Sequence, residues 1–445
     1  MFPVPLTPFE QYMWMDDRPS HPMAFHIRLV FTGQIDEQEL RRAIEHSIGR
    51  HPLLSARIAQ SRPGKWYWTA APSEGPYVDF APAGQPMRYP RSARIDLRCE
   101  SGVRIWARSG VPASEIRFQF HHACCDGIGA YQFIEDVLCS YDALVASGSD
   151  ASLRALDYSA LTRRMRPWSM EPGSVRRTAQ QVWGVVAGTA AMLFGRPAPL
   201  CSPDTSLGEA GPNAVLTDLP AHTFSHAESR RLRNIAFACG GSLNDLLLRD
   251  LFVALRGWNA RHDPRARRRR IRIIIPTSLR GPGAPDGTAA NVVSIVFMGR
   301  GAGCERDPRR MLRWIQWETR FLLGWRLNLS FLRACDIFGA APGAMEWMAS
   351  ANRCFATSVL SNMGRVLSRA PLQRHDYKLL VGGATLERVE SAPPVRPHTA
   401  AALTSLTYGR RLTLAMNYDP LHFRKDSAVE LMDHIVQQVR KTLEG

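Results

Sequence analysis

The clearest alternation of apolar and polar positions runs through Glu115-Ile116-Arg117-Phe118-Gln119-Phe120, the period-2 pattern of a half-buried strand. After Gly127 the period changes, and Ile128, Tyr131, Ile134, Val137, Leu138, Tyr141 and Leu144 recur at helical spacing. The pattern therefore predicts a strand, a tight turn and an amphipathic helix over Glu115 to Leu144. His121-His122-Ala123-Cys124-Cys125-Asp126-Gly127 forms the turn. Upstream, a strand is expected at Ala24 to Phe31. A helix follows, opened by Asp36 with Glu39 as a capping box, striped by Leu40, Ile44 and Ile48, and stopped by Pro52. Further strands are predicted at Lys65 to Thr69 and Val103 to Ala107, separated by a Pro/Gly/Arg-rich connection over 71–94.

Between residues 160 and 215 the pattern dissolves into Arg, Pro, Gly and Ser, as expected of a crossover between two units. Within it, Gln181 to Phe194 is uncharged and flanked by arginines, yet shorter than the roughly 20 apolar residues a bilayer span needs. It reads as a helix packed on the protein, with a membrane-surface helix as the alternative. Beyond it come a helix near Ala227 to Cys239 ended by Gly240-Gly241 and a second helix capped by Ser242 with Asp245. A helix is expected from Pro308 to Trp325. A strand from Phe355 to Leu360 should run into Ser361-Asn362-Met363-Gly364, with later strands near 379–381, 401–406 and 412–417 and a final helix. Alternating strands and helices indicate an α/β protein in two units, 1–165 and 216–445, joined by the crossover 166–215.

Composition adds three constraints. At 445 residues, 45% hydrophobic and 22% charged, the chain can bury two cores. Its formal charge of +16, carried largely by arginine, suits phosphate- or carboxylate-bearing partners. The densest run places seven arginines between Arg261 and Arg272. A solvated loop is the plain reading; docking of CoA phosphates or an acidic carrier protein through Arg267, Arg268, Arg269 and Arg270 is the functional one. Nucleic acid is not expected, because aromatic interleaving is missing. Nine cysteines without a CxxC pair, behind a start that lacks a signal-peptide pattern, imply a reduced cytoplasmic protein without a disulfide framework.

Chemistry concentrates at the turn. Successive residues leaving a strand point in opposite directions, so only one of His121 and His122 faces a given cleft. His122 is the expected general base, since a neutral imidazole can take a proton from an alcohol or amine near pH 7. Asp126 would hold the turn through a distant arginine, and Gly127 would permit close backbone approach. A purely structural histidine pair is the alternative. A metal site is not expected, for want of further ligands at metal-binding spacing.

This His-His-x-x-x-Asp-Gly turn resembles the CoA-dependent acyltransferase superfamily, which includes chloramphenicol acetyltransferases, peptide-synthetase condensation domains and bacterial wax ester synthases. Arg50-His51-Pro52-x-Leu54, Asn244-Asp245, Pro276-x-Ser278-x-Arg280 with Asn291, and Ser361-Asn362 are similar to further family segments in family order. Ser55 and Ala290 stand where the family often has arginine and glycine. The plant alcohol acyltransferase signature is absent.

The resemblance implies two chloramphenicol-acetyltransferase-like subdomains, mixed sheets covered by helices, with an active-site tunnel at their interface. His122 would be the base and Asp126 structural, paired with Arg280 and supported by His121 and Asn291. Ser361 or Asn362 would donate to an oxyanion or serve only as a turn. The implied reaction moves an acyl group from acyl-CoA or a phosphopantetheine thioester, the carrier arriving in trans, to a small-molecule alcohol or amine. It needs no tightly bound cofactor and no acyl-enzyme. A non-catalytic docking module and a membrane-associated lipid binder remain the other readings.

Overall fold

The computed structural model describes residues 2–62, 65–71, 75–149, 151–164, 184, 186, 196–204, 215, 216, 218–281 and 287–444. Most of the expected crossover, including nearly all of Gln181 to Phe194, lies outside them.

The alternating residues build two large sheets. The first has seven strands, in the order Arg374–His375, Lys378–Val381, Ala384–Ala392, Ala24–Thr32, Ala113–His121, Val103–Ser109 and Tyr77–Pro82. Its neighbours are antiparallel except the last pair. Helices Glu37–Arg50 and Gly127–Ser147 cover one face, burying Ile27, Leu29, Ile116, Phe118, Phe120 and Phe133. The second sheet has six strands, in the order Val293–Arg300, Ile271–Ser278, Ser358–Arg365, Ala401–Tyr408, Arg411–Tyr418 and Ala221–Thr223. Ser358–Arg365 is parallel to both neighbours. Leu243–His262 and Lys425–Glu444 pack on this sheet around a separate core. A small sheet joins Val4–Pro5, Lys65–Thr69 and Arg57–Arg62.

Four expectations are corrected. The strand through Glu115 to Phe120 is not half-buried: Arg117 and Gln119 are buried too. Gln119 donates to Ala93 O (2.6 Å), and Arg117 pairs with Glu115 (2.8 Å) and Asp218 (3.0 Å), so its polar face is also covered. The 71–94 connection contains a strand, Tyr77–Pro82, docked on the sheet edge parallel to Val103–Ser109. Asp36 caps its helix through Glu39 N (2.9 Å), but the Glu39 carboxylate turns to Arg42 (3.0 Å) instead of closing a box. The division at 215 is not clean either. Ala384–Ala392 leaves the second half and pairs with Ala24–Thr32 in the first sheet, because that central strand needs a partner on each side.

Candidate active site

The strand Ala113–His121 ends beside the second sheet, and the turn after it is pinned from both directions. Asp126 is the N-cap of Gly127–Ser147: Oδ1 accepts from Gly129 N at 2.9 Å. Its other oxygen accepts from Arg280 Nη1 (2.6 Å) and from Val292 N (2.8 Å). The ion pair anticipated from sequence is thus present, and it ties the turn to the second half.

The neighbouring segment 288–292 makes the rest of the junction. Asn291 Nδ2 donates to His122 O and to Ala123 O, the latter at 2.9 Å. Ala290 O accepts from Arg280 Nη2 (3.0 Å) and Asp126 N (3.3 Å). Ala289 N donates to His51 Nδ1 at 2.8 Å, while His51 Nε2 faces Asp136 Oδ2 at 3.2 Å. Because Nδ1 accepts, His51 carries its proton on Nε2 and donates to Asp136. Burial holds His51 below the ordinary imidazole range, which keeps that neutral tautomer. Arg50 also pairs with Asp136, at 2.7 Å.

The two histidines diverge as the pleat requires. His121 is buried, its Nδ1 accepts from Ala123 N (3.1 Å) and its Nε2 lies 3.4 Å from Asp17 Oδ2. Asp17 is held below the usual carboxylate range: burial opposes this, but His121, Met23 N and Arg94 outweigh it. His122 points the other way, its ring packed edge-on against Phe25 (5.1 Å) while its backbone N–H donates to Met23 O (2.8 Å). Burial lowers the affinity of His122 for a proton, partly offset by the Asp126 carboxylate, so the imidazole is neutral at pH 7. Its Nδ1 is buried without a hydrogen-bond partner.

His122 lies on the wall of a cavity of about 150 Å³ bounded by both halves of the chain. Phe297, Phe331, Phe355, Ile274, Ile295 and Val359 make most of the lining apolar. Ser361, Asn362, Thr399 and Arg396 are polar members, Arg396 being anchored by Asp16 (2.9 Å). A second recess of about 340 Å³ shares Ile128, Ser278 and Met363 with it and carries Arg154, Arg280, Arg365 and Arg369. The Met363 methyl fills the space a side chain on Gly127 would occupy.

Ser361 and Asn362 are on that wall, but in the strand Ser358–Arg365, not in a turn; the register of that strand shifts just after them, between Asn362 and Gly364. Cys124 and Cys125 are buried with their thiols pushed well up by burial, which removes them as nucleophiles. Arg268, Arg269 and Arg270 are exposed at the end of Ile271–Ser278 remote from Ser278, roughly 23 Å along the strand. The Arg267 side chain lies outside the described residues. Of Asn244-Asp245, Asp245 closes a capping box on the N-cap Ser242. Sequence reading missed Tyr12, Met363, Phe331 and Arg396; only their apolar or cationic character was visible, with nothing to mark them as wall residues. Among the described residues no group of three or more His, Cys, Asp or Glu could hold a metal ion, and no helix is long and apolar enough to cross a membrane.

No protein-family model matches the chain, and no curated protein matches its sequence. Solved structures do match. The first condensation domain of the calcium-dependent antibiotic (CDA) synthetase aligns with a TM-score of 0.71 at 15% identity, over 99% of this chain and 96% of that one. The fold is that of the condensation domains. The trichothecene 15-O-acetyltransferase of Fusarium sporotrichioides aligns at 0.70 and 11% identity, covering 97% and 93%. The epimerization domain from the third module of tyrocidine synthetase B gives 0.67 and 13%, covering 100% and 97%. At these identities the likeness is one of fold, and the chemistry must be argued from the side chains.

Proposed function

We propose that this condensation-like chain is an acyltransferase that moves an acyl group from a CoA or carrier-protein thioester to an alcohol or amine. The observation that carries the reading is the neutral imidazole of His122 on the wall of an apolar cavity between the two halves. His122 takes the acceptor's proton as its oxygen or nitrogen bonds to the thioester carbonyl. Ser361 or Asn362 donates to the resulting oxyanion, and collapse breaks the carbon–sulfur bond. The departing thiolate receives the proton from His122, so no covalent acyl-enzyme is needed.

Apolar walls suit an acyl chain. The recess bearing Arg365 and Arg369 suits the anionic arm of the donor better than Arg268 to Arg270, which sit at the end of Ile271–Ser278 remote from Ser278. Thiol release from a panel of acyl-CoA and carrier-bound acyl thioesters tests the proposal. His122→Ala is expected to lower kcat/KM by about 10²- to 10⁴-fold. No release from any thioester with the intact protein would leave a non-catalytic docking or lipid-binding module.

A further inference from the structure

Helix Pro308–Gly324 is amphipathic twice over. Met311, Leu312 and Ile315 face the second core. On the far side, Trp314, Trp317, Phe321 and, at the helix end, Trp325 follow one another at helical spacing as a ladder of rings. The centroids are 6.1, 5.3 and 4.8 Å apart. Trp314, Trp317 and Trp325 are 54%, 57% and 39% exposed, a cluster that a lone surface apolar residue does not explain.

Arginine is abundant along the helix that carries the ladder. Arg306, Arg309, Arg310, Arg313, Arg320 and Arg326 outnumber Glu305, Asp307 and Glu318. All three acids are engaged: Glu305 pairs with Arg256 (3.1 Å), Asp307 caps Arg310 N (2.8 Å), and Glu318 pairs with Arg300 (2.6 Å). Beside the first half of the helix, a recess of about 660 Å³ is bounded by Arg270, Arg300, Arg306, Arg310 and Trp314, with Asp307 also on its wall, room for an anionic headgroup. Past the end of the helix, Gly184 packs against Leu327 and Ser330.

We infer that this face docks on a bilayer containing anionic lipid. Indole and phenyl rings settle at headgroup depth, while arginines reach the phosphates and the apolar stripe need not be matched by a shaped partner. A convex row of rings on a single helix fits a soft planar interface. The contact is distinct from the catalytic cavity and does not depend on the reaction proposed above.

Vesicle co-sedimentation of the full chain tests it without reading turnover. The intact protein is expected to pellet with phosphatidylcholine vesicles containing phosphatidylglycerol, less so at high salt, and poorly with phosphatidylcholine alone. Trp314→Ser/Trp317→Ser/Phe321→Ser should weaken binding by on the order of tenfold, and Arg309→Gln/Arg313→Gln should lessen the salt dependence. Quenching of the intact protein's tryptophan fluorescence by brominated lipid gives the same answer should the triple variant misfold. Absence of both pelleting and quenching, or equal pelleting of a folded triple variant, would overturn the inference. Capture of an acidic carrier protein through these residues without vesicle binding would overturn it too, assigning the face to a protein.

Discussion

His122 has two properties that kinetics can separate. Burial keeps its folded-state pKa below the reference value of about 6.5, so activity should be lost only when acidification goes far enough to protonate a reluctant ring. The acid limb of kcat/KM against pH is expected to have its midpoint below that of a free imidazole; a midpoint above it would contradict the assignment. The ring also carries little of the fold, whereas Asp126 and Arg280 hold two segments together. Asp126→Ala or Arg280→Ala should each cost about 3 kcal/mol, the low end for a buried pair because the Arg280 side chain is 19% exposed. Thermal unfolding would check this, with His122→Ala expected to unfold close to the parent. His122 and Asp126 were legible in the turn itself, with its two imidazoles between strand and helix and its capping carboxylate, whereas Arg280 was named only through the resemblance of Pro276-x-Ser278-x-Arg280 to a family segment. Phe331 and Met363 were not, since an apolar side chain at helical or strand spacing fits any core.

Among the elements, the helix Gly127–Ser147 and the segment 288–292 meet closest at Gly129. A Cβ there would lie 2.9 Å from Ala290 N and 3.1 Å from Ala290 O, and backbone cannot step aside cheaply. Gly129→Ala is expected to destabilise by about 1–3 kcal/mol and to depress activity, measured by denaturant unfolding and thiol release. At Gly127 the obstacle is the end of the Met363 side chain, 2.3 Å from the added carbon. Gly127→Ala should therefore leave stability nearly unchanged while displacing Met363, which lines both recesses, and lowering turnover, which Met363→Ala in that background should restore. Element identity was readable where one period persisted, as in Ile128 to Leu144. It failed at Tyr77–Pro82, an edge strand in a Pro/Gly-rich stretch, and at Ser361–Asn362, where a register shift masks the alternation. The pairing of Ala384–Ala392 with Ala24–Thr32 leaves no local trace in either strand, because each pattern only demands some partner.

For the whole molecule, that pairing makes the halves interdependent. A fragment ending at residue 215 would expose the long apolar edge of Ala24–Thr32, and size-exclusion chromatography is expected to show aggregates in place of a folded monomer. The intact chain should lose stability on mild acidification. His26 is held down to about 3, by burial first and by Arg117 and Arg104; His51 and His122 are lowered mainly by burial. Below the unfolded value of about 6.5 the unfolded chain binds protons that the folded one refuses, so stability present above that pH falls as pH drops through it. A melting series from about pH 7 to about pH 5 should show the decline. The same strand also sets a timetable for biosynthesis. Between emergence of Thr32 and of Ala392 the ribosome must add 360 residues, roughly 20–70 s of elongation. Throughout that interval the nascent first sheet waits with one flank open, so a chaperone that binds unpaired strands has its longest opportunity there, and slowed translation should reduce the yield of native protein.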